Sequence, residues 1–363
     1  MKKTKDILII GAGVSGLTTA FCLAKEGYQV TILAKEFSPN ITSNVAGALW
    51  EWPPAVCGYH SDLISLDRSK EWSMTSYHKF YELVKNEQTG VFIKDVFFFF
   101  RQKVEDNDFH LSKMTELKDK VFGFRHDANM IIEEEVNQEI NLVDAYKHQA
   151  PMVDTDVYMP WLMEQVKGLG VKIIPYEVIG ELKEIRHELC LKFNCNYIIN
   201  CAGLGASELA NEHMYPLRGA LIRIKNDGKK FPVLDKAYCI SFDEETREQD
   251  IVFIVPRGKN HIVLGALAEE NEYDKEINLS NYQPVQDMYD RCKEFLPQLE
   301  NSELDTEEPV RVGLRPFRKG NVKLEFDRNN KIIHNYGHGG AGVTFSWGCA
   351  EEIVEMMNNF RTK

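Results

Sequence analysis

Two groups of glycines in this chain have the spacing that bares backbone N–H groups to a ligand. Gly11, Gly13 and Gly16 follow the apolar run Ile7, Leu8, Ile9, Ile10 in the G-x-G-x-x-G spacing. Gly11 allows a tight turn, Gly13 lets the backbone approach a pyrophosphate, and Gly16 lets a helix pack close to a strand. The free N–H groups and positive dipole end at Val14, Ser15, Gly16 and Leu17 then hold the diphosphate. The second group is Gly337, Gly339, Gly340 and Gly342, ahead of an apolar-periodic helix from about Val343. It offers N–H groups to an anion or an electron-rich ring. Thr42, Ser43 and Asn44, in a stretch of small residues, can donate to phosphate or ring oxygens.

Other chemistry-bearing residues are weaker. Glu36 is the nearest acid to the end of the second strand, slightly late for holding a ribose hydroxyl, and reads equally as a solvated charge. His334 and His338 sit four apart, but the glycines between and after them rule out a regular helix that presents both. They read as loop histidines making hydrogen bonds. Glu133, Glu134 and Glu135 would point to alternate faces of a strand, so a solvated surface is expected, not a metal site. No metal is expected.

The elements that must position these residues follow from periodicity. Leu17, Ala20, Phe21 and Ala24 recur at helical spacing, Gly27 stops that helix, and 30–33 is a second apolar strand. This is a βαβ unit with glycines at its first turn, the context that G-x-G-x-x-G needs to signify a dinucleotide site. Residues 42–54, with two tryptophans and two closing prolines, read as a loop. A helix is expected over 66–85, a buried strand over 91–101, and a helix over 156–167 capped by Thr155 or Asp156, followed by a strand after Gly170. Residues 178–191 read as two amphipathic strand-like runs. Residues 197–206 read as a buried strand entering a Gly-rich turn and a helix from Ser207, another strand edge beside the cofactor. An alternating strand at 217–224, paired strands at 250–256 and 260–266 with Arg257, Gly258 and Lys259 as their turn, and a helix at 282–295 form a mixed region. Its antiparallel hairpins do not suit a doubly wound domain, so it reads as a second, substrate-facing domain inserted into the first.

Composition bounds the classes. At 363 residues the chain is long enough for two cores, with 44% hydrophobic and 27% charged residues. A net charge of -12 without a basic stripe disfavours nucleic acid. No apolar run reaches the ~20 residues that span a bilayer. Residues 1–5 are basic with no signal-type apolar region after them, and 360–363 are not a peroxisomal signal. The eight cysteines, Cys57 among them, form no CxxC and read mostly as small hydrophobes, which suits a reducing cytoplasm.

Taken together, GAGVSGL at 11–17, TSNVAGALW at 42–50, LRPFR at 314–318 and HNYGHGGAGVTFSWGCA at 334–350 resemble the D-amino acid oxidase family of FAD flavoproteins. YIINCAGLGA at 197–206 and PLRGA at 216–220 support the match. The resemblance spans most of the chain and is weakest over 58–141 and 225–250. It implies an α/β fold: a Rossmann-like FAD-binding domain (1–65, 142–215 and 305–363) with an inserted mixed α+β, antiparallel-sheet substrate domain (66–141 and 216–304). By the same resemblance the cofactor is FAD. Its diphosphate turn maps to Gly11, Ala12, Gly13 and Val14, extended by Ser15 and Gly16. The loop beside the flavin maps to Thr42, Ser43, Ala48 and Leu49, the adenine-side backbone contact to Val178, and the loop over the ring to Gly339, Gly340, Gly342, Val343 and Thr344.

The implied reaction is oxidative deamination of a D-amino acid to the 2-oxo acid, ammonia and hydrogen peroxide, by hydride transfer from Cα to flavin N5. The implied partners are thus an amino acid and dioxygen; a homodimer is left open. Arg315 matches the arginine that grips the substrate carboxylate, a bidentate task for a guanidinium. The carbonyl of Gly340 matches the acceptor for the substrate amine. Phe253 stands where the family commonly has a tyrosine, and it cannot donate; Arg257, four residues on, is a candidate substitute. Lys35 and Glu36 stand where animal members carry an acid and an arginine at the adenosine end. Glu51 would favour a basic substrate if it lined the pocket, but is expected to face solvent. Two alternatives remain: an oxidase or dehydrogenase of glycine, an N-methyl amino acid or a specialised amine, and a flavin-binding protein without turnover.

Overall fold

The computed structural model describes residues 6–54, 60–240 and 251–359. Residues 1–5, Cys57, Asp250 and the terminal 360–363 therefore lie outside the described residues. The chain opens with β1 (Asp6–Ile10), α1 (Val14–Lys25), β2 (Gln29–Ala34), α2 (Thr42–Val45) and α3 (Leu63–Leu83). Next come β3 (Val91–Phe100), α4 (Asp108–Leu117), β4 (Arg125–His126), α5 (Met130–Glu133) and β5 (Asp144–Val153). Then follow α6 (Thr155–Gly168), β6 (Lys172–Pro175), α7 (Leu182–Phe193), β7 (Tyr197–Asn200), α8 (Ala206–Leu209) and β8 (Met214–Lys225). The remainder is β9 (Ala237–Ile240), β10 (Val252–Arg257), β11 (His261–Gly265), β12 (Glu269–Glu270), α9 (Gln283–Phe295), β13 (Val310–Arg318), β14 (Lys323–Asp327), β15 (Ile332–Tyr336) and α10 (Gly342–Asn359).

Two sheets organise these elements. The first has six strands in the order β14-β15-β7-β1-β2-β6. All its pairs are parallel except β14 with β15. Parallel strands are covered on both faces, which is why β1 is a continuous apolar run. Ile7 and Ile9 pack with Leu17 and Phe345 on the side of α1 and α10; Leu8 and Ile10 pack with Leu182 and Leu189 of α7 on the other. The second sheet has nine strands, β12-β8-β11-β10-β9-β3-β5-β4, with β13 also paired to β8. Here the phenylalanine run of β3 alternates: Phe97 and Phe99 join the α9 core, while Phe98 and Phe100 join Trp50 and Tyr77. β5 and β13, which fall in stretches expected to belong with the cofactor unit, run in this nine-stranded sheet.

Several local expectations are corrected. Thr42 to Val45 form one helical turn inside the expected loop. The two strands expected over 178–191 are instead the helix α7, because Leu182, Ile185 and Leu189 form one apolar stripe at helical spacing after Gly180 turns the chain at φ +96°. The cap of α6 is Asp154, whose carboxylate accepts from Asp156 N, not Thr155 or Asp156. Glu133 ends a helix and pairs with Arg125; Glu134 is not a solvated acid but sits between Lys236 and Tyr238 at 2.9 Å from each. Cys190 and Cys195 form a disulfide across the end of α7, so these two are not simple hydrophobes. No described helix is long and apolar enough to cross a membrane.

Candidate active site

The turn after β1 is built as its glycines require. Gly11 has φ +110°, and a Cβ there would strike the carbonyl of Cys201 at the end of β7. A Cβ on Gly16 would strike the carbonyl of Gly11. Gly13 is the extended N-cap of α1 and brings no capping side chain of its own. The Val14 N–H donates instead to Ser43 Oγ at 3.0 Å, so a neutral oxygen stands where an anionic one would be favoured. Thr42 Oγ1 donates to the Leu314 carbonyl at 3.3 Å, tying this turn to β13. Ala12 is buried, and the Ser15 carbonyl accepts from Thr19 Oγ1 within α1.

The second glycine group comes to the same place. A Cβ on Gly342, at the start of α10, would lie 3.9 Å from Val14 Cγ1. Two helix N-termini thus stand side by side, with Val343 and Thr344 buried behind them. Gly339 has φ +56°, and a Cβ there would sit 2.8 Å from the Phe317 ring. Gly340 follows it in the same turn. Lys35 and Glu36 are exposed just past β2, and Lys35 pairs with Glu177 at 3.5 Å. That pair brings Val178, half-buried against the α7 core, to the end of the first sheet. These glycines, N–H groups and the adjacent β1 and β2 ends fit an extended diphosphate cofactor such as FAD.

Arg315 lies over Gly219 of β8: a Cβ at Gly219 would be 2.5 Å from the guanidinium carbon. Its Nη1 donates to the Leu267 carbonyl at 3.0 Å, and no described acid pairs with it. Burial pushes its pKa down to about 10. The side chain is half-buried, and a partly desolvated guanidinium without an acid is favoured by an anion, so the position can take a carboxylate. Phe253 lies against the cofactor-side loop, its Cζ 2.7 Å from where Gly47 would carry a Cβ. Arg257 does not substitute for a tyrosine. It donates to Thr155 Oγ1 and to the carbonyls of Ala46 and Gly47, and so holds the loop. Those bonds place Ala48 at φ +53°, with its carbonyl accepting from Val153 N at 3.0 Å, and Leu49 opposite Met152.

The two histidines have different surroundings. His338 Nε2 hydrogen bonds Asn335 Oδ1 at 2.9 Å, and burial pushes its pKa down to about 4. His334 lies on strand β15, not in a loop, with Nδ1 buried and without a hydrogen-bond partner. No cluster of metal ligands occurs among the described residues. Glu51 does not face solvent: it pairs with Lys113 Nζ at 3.1 Å, with side chains 18% and 7% exposed. Lys113 was invisible to sequence reasoning, being one lysine in a polar stretch without clear periodicity.

A profile described as DAO, FAD dependent oxidoreductase, matches residues 6–356. D-amino-acid oxidase of Dictyostelium discoideum is 31% identical, covering 97% of this chain and 91% of that protein. D-amino-acid oxidase of Rubrobacter xylanophilus is 29% identical over 96% and 94%. Among solved structures, glycine oxidase of Bacillus cereus superposes with a TM-score of 0.75 at 15% identity, covering 98% of this chain and 95% of that one. L-proline dehydrogenase of P. horikoshii gives 0.72 at 15%, covering 99% and 94%. At such identity these two speak for the fold alone. With the profile spanning nearly the whole chain, two helix N-termini meeting at one turn, and a relative above 30% identity along the full length, the chain belongs to the DAO family of FAD dependent oxidoreductases.

Proposed function

We propose that this protein oxidises a D-amino acid to the 2-oxo acid and ammonia, with dioxygen as the final acceptor. The observation that carries the reading is Arg315, a guanidinium seated over Gly219 with one backbone partner and no acid among the described residues. The chemistry FAD supplies when bound is acceptance of the Cα hydride and its discharge to dioxygen as hydrogen peroxide. The chain's own task is placement. Arg315 fixes the carboxylate, the Gly340 carbonyl accepts from the neutral amine, and together they present Cα to the ring. The imino acid released is hydrolysed by water. The curated relatives named above support the handedness.

One observation favours a second reading, oxidation of glycine or an N-methyl amino acid. Phe253 offers no hydroxyl beside the carboxylate. An anaerobic flavin-bleaching screen with paired D- and L-amino acids, glycine and sarcosine tests both. Bleaching by D-isomers is the expected result. Bleaching by glycine or sarcosine alone selects the second reading, and bleaching by none of them sinks the first.

A further inference from the structure

One face of the nine-stranded sheet carries a row of side chains that leads away from Arg315. Leu221 stands two residues beyond Gly219 on β8. A Cβ on Gly265 of β11 would lie 3.0 Å from Leu221 and 3.5 Å from Phe253. Phe253 is in register with Cys239 on β9, and Cys239 with Phe98 on β3. The chain after α2 crosses this row, with Leu49 bridged to Met152 of β5. Trp50 and Trp52 pack together, their rings 6.4 Å apart, with Trp50 against Tyr77. Gly47 lies on the Phe253 ring, and Leu49 packs in the same buried cluster as Leu221, Cys239 and Phe98. Glu51 then meets Lys113, whose ammonium is 5.5 Å from the centre of the Phe98 ring.

The dimensions suit a side chain. Glu51 and Lys113 both lie close enough to Cys239 of β9 to act on its thiol, and from β8 to β9 is three strand spacings, about 14 Å. A hydrogen bond of about 3 Å at each end leaves about 8 Å, the reach of an extended chain of about five carbons. The far end has a defined chemistry too. Lys113 has three donors and Glu51 two acceptor oxygens, and among the described residues they spend one of each on one another. Unused N–H donors and a carboxylate oxygen therefore lie side by side, without net charge. A third buried charge would go unbalanced there. A primary carboxamide brings one acceptor and one donor and adds no charge.

We infer that the Glu51–Lys113 pair is the specificity-determining end of the substrate pocket, selecting an amino acid whose side chain ends in a carboxamide. The inference rests on the amino-acid reading above. Four carboxylates without an α-amino group test it, because binding is then read without turnover: pentanoate, glutarate, 5-aminopentanoate and 5-amino-5-oxopentanoate. Each is titrated into the holoprotein and followed by perturbation of flavin absorbance. The carboxamide is expected to bind at least tenfold more tightly than the other three. Lys113→Met should move the preference to 5-aminopentanoate, and Glu51→Gln to glutarate, each by about tenfold or more. Pentanoate binding as tightly as the carboxamide overturns the inference, as does an unchanged ranking in both variants. If a variant loses its flavin, the ranking in the native protein decides alone. No perturbation by any of the four overturns the carboxylate site itself, a different failure from a wrong ranking.

Discussion

Arg257 and Arg315 are the same residue type on the same sheet, and burial pushes both down to about 10. Their surroundings differ. Arg257 donates from Nη1 to Thr155 and from Nη2 to the carbonyls of Ala46 and Gly47, within reach of the charges of Asp154 and Asp156, while its Nε is buried without a partner. Arg315 has the Leu267 carbonyl and no acid. The difference teaches how to sort buried cations. One tied to a loop's backbone by several bonds and close to acids reads as a brace; one with a single backbone bond and no acid fits a ligand.

Exchanging the two arginines for methionine should break this comparison in opposite directions. Arg315→Met is expected to lower kcat/KM for amino acids by about a thousandfold or more, since the carboxylate loses a charged bidentate partner. Folding stability should hold or rise, because a half-buried charge without an acid partner has been removed. Arg257→Met should instead cost about 3 kcal/mol in chemical denaturation, as two carbonyls lose charge-assisted bonds. Equal losses of stability in the two variants would erase the distinction.

Gly219→Ala probes the seat of Arg315 without touching its charge. The new Cβ would crowd the guanidinium, and a displacement of about 1 Å should lower kcat/KM about a hundredfold. Circular dichroism should stay native; unchanged kinetics would mean that Arg315 does not act from this seat.

The smallest effect is a pH dependence. Carboxylate binding needs the charged guanidinium, so affinity should be full below pH about 9 and fall as pH rises through about 10. An ordinary arginine would show no such break. For folding the sign is reversed: a base with a lowered pKa holds its proton less tightly in the native state, so its unfavourable contribution is relieved over the same range. Carboxylate titrations repeated in Arg257→Met should keep the break if it belongs to Arg315.

Much of this was legible in the sequence. The β1-glycine-α1 unit, the hairpin of β10 and β11, and α9 carry patterns that local sterics and periodicity enforce. The segment 178–191 was misread because its polar residues also alternate, and only packing of Leu182 and Leu189 on Leu8 decides for a helix. The candidate site was legible at its glycines, of which Gly11, Gly337 and Gly339 hold a positive φ that leaves few alternatives. Arg315 came into view only through family resemblance, and Lys113 not at all. A cation's role depends on what the fold brings to it from elsewhere in the chain.

The meeting of α1 and α10 at Val14 and Gly342 has a thermodynamic consequence. Each helix end carries about half a positive charge, so the two repel until an anion lies between or beside them. The apoprotein therefore carries a local electrostatic debt that flavin discharges. At a free cofactor concentration a hundredfold above Kd, linkage adds about 2.7 kcal/mol to folding. That is a large part of the margin by which a domain of ordinary stability stays folded. The cell's FAD supply would then set how much of this protein survives proteolysis, making cofactor availability a control on enzyme abundance as well as on activity.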